Sequence, residues 1–306
     1  MGYNDCTVSL LTETQLPNRL HKGKVRDTYD LNNGLLLMVA TDRLSAFDVV
    51  LPTGIPNKGV ILSKLSEFWF KNTTHLIPNH FIAMGQDVDL LKSHGIELSS
   101  WVPQDILERS MVVQQAQRID IECVVRGYLS GSAWAEYQKT GTAGNIPLPK
   151  GLKESQQLPQ PIFTPTTKAE SGHDEPLSHK EVHQLLGPEL ATTLELKSIE
   201  VYKFAQEVAR KADIIIADTK MEFGLIKGEL CLIDELLTPD SSRFWELKKY
   251  SPGSSQVSFD KQFVRDWLVE LGWDREPPAP HLPNDVVNKT EEKYHEAHDR
   301  LTKANN

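Results

Sequence analysis

Residues 212–243 read ADIIIADTKMEFGLIKGELCLIDELLTPDSSR, and the rest of the chain is interpreted outward from them. The apolar run 214–217 predicts a short buried strand, and charged residues follow it from Asp218 onward. Such charges are costly to bury unless a ligand or metal neutralises them. Two extended segments then flank Lys227-Gly228, where glycine supplies the positive φ of a tight reversal. The stretch predicts a strand that ends in a polar cluster, followed by a hairpin.

Two carboxylates of this hairpin can hold one divalent cation only if both side chains lie on the same face. A two-residue turn would pair Glu222 with Ile233 and place Asp234 on the opposite face. A three-residue loop, with glycine in the left-handed conformation, would place Glu222 and Asp234 on one face. We predict the three-residue loop and a metal pair. The alternative is that these carboxylates are solvated charges on a hairpin.

The composition of the 306-residue chain is that of a soluble globular protein. Its formal net charge of −9 argues against general nucleic-acid or membrane-surface binding, because those interactions need a basic footprint. No apolar run is long enough to span a membrane, and the first ten residues lack the layout of a signal peptide. Cys6, Cys123 and Cys231 have no paired spacing, so neither disulfides nor a zinc site are indicated. We expect a cytoplasmic protein without nucleic-acid or membrane partners.

Lys22, Lys24 and Arg26 occupy alternate positions, so on one strand all three side chains would face the same way. Such a cationic face suits phosphate groups. The alternative is a solvated sheet edge, since a single glycine falls far short of a phosphate-binding loop.

Residues 119–125 predict a strand that leads into Arg126 and then a glycine-rich turn before a helix near Ala133. The free N–H groups and the dipole at a helix start favour an anion. Arg126 adds a fork-shaped donor that matches phosphate. The alternative is a buried arginine that donates to carbonyl groups beside a glycine hinge.

Apolar residues recur every three or four positions in residues 60–72 and 196–212, which predicts helices there. Residues 261–271 predict another helix, which Gly272 ends, and a charged helix is predicted from about residue 285 to residue 303. Asn33-Gly34 predicts a hairpin between two extended runs. Residues 147–165 are rich in proline and predict an irregular connection between two lobes rather than a helix or central strand.

Five motifs name a family when they are taken together. They are GKVRD at 23–27, DRLSAFD at 42–48, ECVVRGY and SGS within 122–132, TTKAE at 166–170, and DTKMEFG and DE within 218–235. In this order they resemble the SAICAR synthetase family, in its longer single-chain form, from about residue 16 to residue 290. The resemblance implies an α+β fold with an N-terminal antiparallel sheet lobe, similar to that of protein kinases, at residues 1–115. A larger α+β lobe would follow at residues 116–306, with the ATP cleft between the two lobes.

The resemblance implies a carbon–nitrogen ligase of de novo purine biosynthesis. Such an enzyme joins the carboxylate of carboxyaminoimidazole ribotide (CAIR) to the amine of L-aspartate, uses ATP and Mg²⁺, and releases SAICAR, ADP and phosphate. Because a carboxylate is a poor electrophile, we expect phosphoryl transfer to form an acyl phosphate first. The longer family form implies a monomer.

The resemblance also implies roles for individual residues. Glu222 and Asp234 would hold Mg²⁺ and, with Lys220, form the catalytic group. Lys24 and Arg26 would meet the ATP phosphates, and the strand around Glu122 would meet the ATP nucleoside. The substrate contacts would be Ser45 and Asp48 for the aminoimidazole, Arg126, Ser132 and Arg243 for the ribotide phosphate, and Lys168 and Asp174 for aspartate.

Two other classes of function stay open from the residues alone. A kinase-like phosphotransferase would need a His-Arg-Asp catalytic loop and an Asp-Phe-Gly motif, and neither tripeptide occurs in the sequence. A non-catalytic nucleotide-binding regulator would be expected to lack Lys220, Glu222 or Asp234, and all three are present.

Overall fold

The structure is a computed structural model that describes residues 10–168 and 175–304. Its strands within those residues are β1 (Arg19–Lys22), β2 (Arg26–Asn32), β3 (Leu35–Ala40), β4 (Ser45–Ala46), β5 (Val49–Val50), β6 (Phe81–Met84), β7 (Ser110–Gln114), β8 (Gln117–Arg118), β9 (Ile121–Tyr128), β10 (Thr142–Ala143), β11 (Ile146–Pro147), β12 (Gln157–Phe163), β13 (Thr166–Thr167), β14 (Ile214–Ile226), β15 (Glu229–Ile233) and β16 (Ser242–Glu246). The α-helices within those residues are α1 (Lys58–Thr73), α2 (Val88–Ser93), α3 (Gln104–Leu107), α4 (Gly131–Thr140), α5 (His179–Leu186), α6 (Pro188–Lys211), α7 (Gln262–Glu270) and α8 (Asn284–Lys303).

The chain divides into two compact units, and each unit combines separated stretches of sequence. The first contains described residues 10–67, 81–115 and 263–295, and the second contains 68–80, 116–168, 175–262 and 296–304. The proline-rich segment 147–165, expected to connect two lobes, lies inside the second unit. There it contributes β12 as an outer strand of the sheet, a position that tolerates proline. We keep two lobes as a proposal, with residues 263–295 moved to the first lobe and residues 68–80 moved to the second.

The first unit contains the expected antiparallel sheet. Its five strands have the order β1-β2-β3-β7-β6, and Tyr29, Leu37 and Val112 belong to the core on this sheet. The predicted hairpin at Asn33-Gly34 is confirmed, since Asn32 pairs with Leu35 across a two-residue turn. Both turn residues have positive φ, 54° and 75°, as this tight turn requires.

Asp42 is a buried carboxylate that joins three segments of the first unit. Its Oδ2 accepts a hydrogen bond from the backbone N–H of Leu11 at 2.8 Å, and Oδ1 accepts one from Gly59 at 3.0 Å. Asp42 Oδ1 also lies 2.7 Å from Arg109 Nη1, and the two side chains are 0% and 3% exposed. The ion pair is therefore almost fully removed from water.

We expect Asp42→Ala to lower the free energy of unfolding by about 3–5 kcal/mol, because it leaves the Arg109 charge buried without its carboxylate. Urea denaturation of the purified protein measures this loss. Glu13→Ala is the matched control, since it removes an ion pair with Lys22 that lies at the surface of the same unit. A similar loss for both variants would contradict the structural role given to Asp42.

The second unit is built around β14, a strand of 13 residues. Strands β12, β9, β14 and β15 lie side by side, and β8 and β16 also pair with β14. The predicted end of this strand before Asp218 is wrong. Charged residues continue at alternate positions, while Thr219, Met221 and Phe223 between them are buried. Alternation of this kind is what a strand with one polar face requires, so β14 runs on to Ile226.

The helices predicted at 60–72, 196–212, 261–271 and about 285 to 303 are confirmed as α1, α6, α7 and α8. Helix α6 begins earlier than predicted, at Pro188, because Gly187 and Pro188 form a favourable helix start. The Tyr202 hydroxyl on α6 donates to the backbone oxygen of Ile216 at 2.7 Å and joins this helix to β14.

The hairpin turn at Lys227-Gly228 has two residues, so the predicted three-residue loop is wrong. Glu222 pairs with Ile233, and the pairing continues without a shift to Ile226 and Glu229. Lys227 and Gly228 have φ values of 52° and 85°. A two-residue turn with two positive φ values matches the twist of its strands, and this preference outweighs the cost of lysine in a left-handed conformation.

The two cysteines in the described part of the chain, Cys123 and Cys231, are free and buried. Burial raises the pKa of the Cys231 thiol to about 11 and also raises that of Cys123. Across residues 10–168 and 175–304, no helix has both the length and the apolar character needed to cross a membrane.

Candidate active site

Charged side chains gather in the second unit, on alternate residues of neighbouring strands and on two residues that directly follow strands. We call this set the charged face. It consists of Glu122, Arg126, Lys168, Asp218, Lys220, Glu222, Asp234 and Arg243. Four carboxylates stand against four cations, so the formal charges balance. Within residues 212–243, Asp218 and Glu222 each have a cation of the chain itself as a partner.

Asp218 lies between two arginines. It is directly opposite Arg126 on β9 and opposite Arg243 on β16. Arg126 Nη1 donates to Asp218 Oδ2 at 3.1 Å, and Arg243 Nη1 donates to the same oxygen. The charge of Asp218 raises the pKa of Arg243, whereas burial lowers the pKa of Arg126 against the pull of Asp218. Both guanidinium groups remain cations at neutral pH.

The structure brings together the three residues assigned to the ribotide phosphate. Arg126 Nη2 lies 3.4 Å from the hydroxyl of Ser132, which is in the first turn of α4. Gly131 begins this helix with a φ of 57°, and a Cβ there would lie 2.2 Å from Nη2 of Arg243. Glycine therefore lets this guanidinium lie against the start of α4. The phosphate-binding role of these residues stays a prediction.

Two lysines pair with two buried glutamates along the same face. Lys220 Nζ donates to Glu122, and Lys168 Nζ donates to Glu222. Burial alone would lower the pKa of Lys220, but the charges of Glu122 and Glu222 outweigh it and raise that pKa. Lys220 is therefore an ammonium ion at neutral pH, suited to stabilise negative charge and unsuited to act as a base.

Asp234 lies within electrostatic reach of Glu222 although the turn has two residues. Burial raises the pKa of Glu222, and the charge of Asp234 raises it further against Lys168 and Lys220. Strand β15 ends at Ile233, and Asp234 has a φ of 64°. Because the alternation of faces holds only within a regular strand, it does not extend to Asp234. The metal pair of Glu222 and Asp234 therefore loses the loop on which we predicted it and stays a prediction.

These two carboxylates fit Mg²⁺ better than a metal that needs a full protein cage. Within the described residues, no group of three or more His, Cys, Asp or Glu side chains could hold a metal ion. Mg²⁺ typically binds one or two carboxylates and takes its other ligands from water and substrate phosphates. The repulsion that raises the pKa of Glu222 is one that a divalent cation would relieve.

In the first unit the structure pairs two of the predicted site residues, Lys24 and Asp48. Lys24 Nζ lies 2.5 Å from Asp48 Oδ1, and both side chains are half exposed. Phe47 and Asp48 form the turn between β4 and β5, with φ values of 51° and 65°. Left-handed residues other than glycine are strained, and such strain collects at functional sites. Ser45 lies on β4, and the Arg275 guanidinium lies 4.4 Å from the centre of the Phe47 ring.

The predicted cationic face of Lys22, Lys24 and Arg26 is wrong. Strand β1 ends at Lys22 and β2 begins at Arg26, and the N–H of Gly23 donates to the oxygen of Arg26 at 2.8 Å. This turn breaks the alternation. Lys22 pairs with Glu13 at the surface, whereas Arg26 is buried. Contacts of Lys24 and Arg26 with ATP stay predictions.

Asp174, predicted to contact the aspartate substrate, lies outside the described residues. Asp218 is the site residue that sequence reasoning missed. A signal for it exists, since Asp218, Lys220 and Glu222 have the two-residue period of a single strand face. Because the predicted strand ends at residue 217, these three residues are not recognised as one face of a strand.

Known proteins resemble this chain along nearly its whole length. The family model described as SAICAR synthetase matches residues 19–280. A relative from Thermodesulfovibrio yellowstonii, a phosphoribosylaminoimidazole-succinocarboxamide synthase, is 54% identical over 286 residues, which cover 92% of this chain and 94% of the relative. A synthase of the same name from Pasteurella multocida is 50% identical over 294 residues, covering 95% of this chain and 100% of the relative.

Solved structures agree with the sequence comparisons. A SAICAR synthase from Saccharomyces cerevisiae, solved in complex with SAICAR, has a TM-score of 0.85 and 42% identity and covers 96% of this chain and 98% of its own. A SAICAR synthetase solved in complex with ADP has a TM-score of 0.67 and 24% identity, covering 92% of this chain and 97% of its own. At that identity the second structure shows only a shared fold. The α+β fold class is confirmed.

Proposed function

The chain belongs to the SAICAR synthetase family, and from this premise we propose that its charged face activates a carboxylate and joins it to an amine. The chain is a carbon–nitrogen ligase of purine biosynthesis that combines CAIR with L-aspartate to give SAICAR. The observation that supports the site is that two sets of charged side chains lie at two positions along one strand, β14. The arginine pair lies at Asp218, and the paired carboxylates lie at Glu222.

The distance along β14 suits a sugar phosphate. Asp218 and Glu222 are four residues apart on one strand, which corresponds to about 13 Å. A ribotide whose phosphate is bound by Arg126 and Arg243 would then extend its heterocycle toward Glu222. In this arrangement the carboxylate of CAIR lies near the carboxylates that we propose for Mg²⁺.

ATP is the proposed phosphoryl donor. Transfer of its terminal phosphoryl group to the CAIR carboxylate gives an acyl phosphate and ADP. The aspartate amine then attacks the carbonyl carbon, the amide bond forms, and phosphate leaves. Lys220, held as an ammonium ion by Glu122, would stabilise negative charge that develops on the transferring group.

Glu222 and Asp234 would hold Mg²⁺, which neutralises and orients the ATP phosphates when bound. Lys168, the present partner of Glu222, would then be released to bind a carboxylate of the aspartate substrate. We assign Ser45 and Asp48 to contacts with the aminoimidazole. We also propose that the protein is a monomer and that it is cytoplasmic.

A direct assay tests the reaction. The protein is incubated with ATP, Mg²⁺ and CAIR, with and without L-aspartate, and ADP and SAICAR are measured. We expect SAICAR only when all components are present, with ADP formed in equal amount. ADP release that ignores both CAIR and aspartate would reject the ligase function.

We expect Arg126→Ala to weaken CAIR binding by about 1.5–3 kcal/mol, the range for a hydrogen bond to a charged group. ATP affinity should stay nearly unchanged, because we assign Arg126 only to the ribotide phosphate. Calorimetric titration with each ligand measures both constants. Arg118→Ala is the control, since Arg118 forms an exposed ion pair with Asp120 in the same unit. Equal weakening of CAIR and ATP would show that the phosphate assignment is wrong.

A further inference from the structure

We propose that Asp218 is a positioning residue that holds Arg126 and Arg243 in the geometry required by the ribotide phosphate. This inference rests on the proposed function. The three residues lie side by side on adjacent strands, with Asp218 on the central one. Asp218 therefore has an arginine directly opposite on each side.

The hydrogen bonds fix the spacing of the two guanidinium groups. One oxygen of Asp218, Oδ2, accepts from Nη1 of both arginines, at 3.1 Å from Arg126 and in close contact with Arg243. A shared acceptor sets the positions of two donors relative to each other, which two separate acceptors would not do. Nη1 of both arginines is therefore held next to the same oxygen, Oδ2 of Asp218.

The charges of the cluster explain why an acid is needed between the arginines. Two guanidinium groups that share one acceptor repel each other. The pKa of Arg126 is lowered by burial and further by the charge of Arg243. Asp218 compensates one of the two charges and leaves a net formal charge of +1. The pair can then stay assembled before a ligand arrives, so less ordering is required when the phosphate binds.

The arginines keep donors for a ligand. Arg126 has five N–H donors, of which Nε–H donates to Thr164 at 3.0 Å and one Nη1–H donates to Asp218. Its Nη2 group makes only a long contact of 3.4 Å with Ser132. The side chains of Arg126 and Arg243 are 13% and 20% exposed, compared with 7% for Asp218. The carboxylate is therefore the most deeply buried of the three side chains, and the two arginines are the more exposed ones.

Kinetics of Asp218→Ala test the proposal. We expect the KM for CAIR to rise by at least about tenfold, because both arginines lose their common acceptor. The kcat at saturating CAIR and the KM for ATP should change by no more than about twofold, since neither depends on the phosphate-binding pair. Inorganic phosphate serves as a second probe, and its inhibition constant against CAIR should rise together with the KM for CAIR.

Two further variants separate positioning from a general loss of structure. Asp218→Asn should raise the KM for CAIR less than Asp218→Ala does, because its amide oxygen can still accept hydrogen bonds from the arginines. Asp213→Asn is the matched control, since Asp213 directly precedes the same strand and pairs with the exposed Lys248. This control should behave like the unmodified protein.

A KM for CAIR that stays within about twofold in Asp218→Ala overturns the positioning role. If Asp218→Ala does not fold, the test uses Asp218→Asn instead. A KM for CAIR of Asp218→Asn that equals the KM of Asp213→Asn then overturns the proposal. Failure of the unmodified protein to form SAICAR would instead reject the proposed function. Calorimetric binding of inorganic phosphate to the same variants would then still measure whether Asp218 organises an anion site.

Discussion

Glu222→Gln and Asp234→Asn should each lower the kcat for SAICAR formation by about a hundredfold to a thousandfold, the range for loss of one preorganised electrostatic contact. Each change keeps the shape of the side chain and removes its charge. A neutral amide binds Mg²⁺ less well than a carboxylate, and the ATP phosphates would lose charge compensation during transfer. The double variant should be the least active of the three.

Steady-state kinetics at increasing Mg²⁺ concentrations measure this effect. We expect the concentration of Mg²⁺ for half-maximal activity to rise in both variants, in addition to the loss of kcat. Glu229→Gln is the control, because Glu229 is an exposed carboxylate on β15 of the same hairpin. Full turnover of the double variant at ordinary Mg²⁺ concentrations would end the metal-pair proposal.

Lys220→Met should also lower kcat by about a hundredfold to a thousandfold, because it removes the cation that we place at the developing charge. The KM for CAIR should change little, since the phosphate-binding arginines on β9 and β16 lie beside Asp218 and not beside Lys220. Lys220→Arg should recover part of the lost activity, because it restores the charge in a different shape. Rapid-quench measurement of ADP formation separates this step from product release.

Lys248→Met is the control for Lys220→Met, since Lys248 is an exposed lysine of the same unit. A Lys220→Met variant that raises KM for every substrate but keeps its kcat would assign Lys220 to binding. Loss of folded protein, seen as a lower melting temperature than that of the control, would assign it to stability.

Features set by a few neighbouring residues could be predicted from the sequence. The Asn33-Gly34 hairpin follows from two residues that tolerate positive φ, and α6 follows from apolar residues repeated every three or four positions. The prediction at Lys227-Gly228 failed on loop length, because we chose the loop to suit a presumed metal pair. The backbone instead forms the tight turn, in which Glu222 pairs with Ile233, and Asp234 lies beyond the end of β15 with a positive φ.

The extent of β14 could not be read from hydrophobicity alone. Charged residues inside a strand resemble a strand end unless the cations that pair with them are known. Those cations come from distant parts of the sequence, and Arg126 and Asp218 are separated by 92 residues. Strand pairing over such separations is set by the assembled sheet and not by local propensity.

The sequence by itself determined the family, the helices and the residue types of the site, because motifs and periodicity are properties of neighbouring residues. Only the tertiary structure decided which carboxylate pairs with which arginine or lysine. The register of β14 against β9 and β16 places Asp218 between two arginines, and in the folded chain the charge of Asp234 acts on the buried Glu222. The arginine pairs of Asp218 depend on strand register, which is set by the assembled sheet and not by any single segment of the chain.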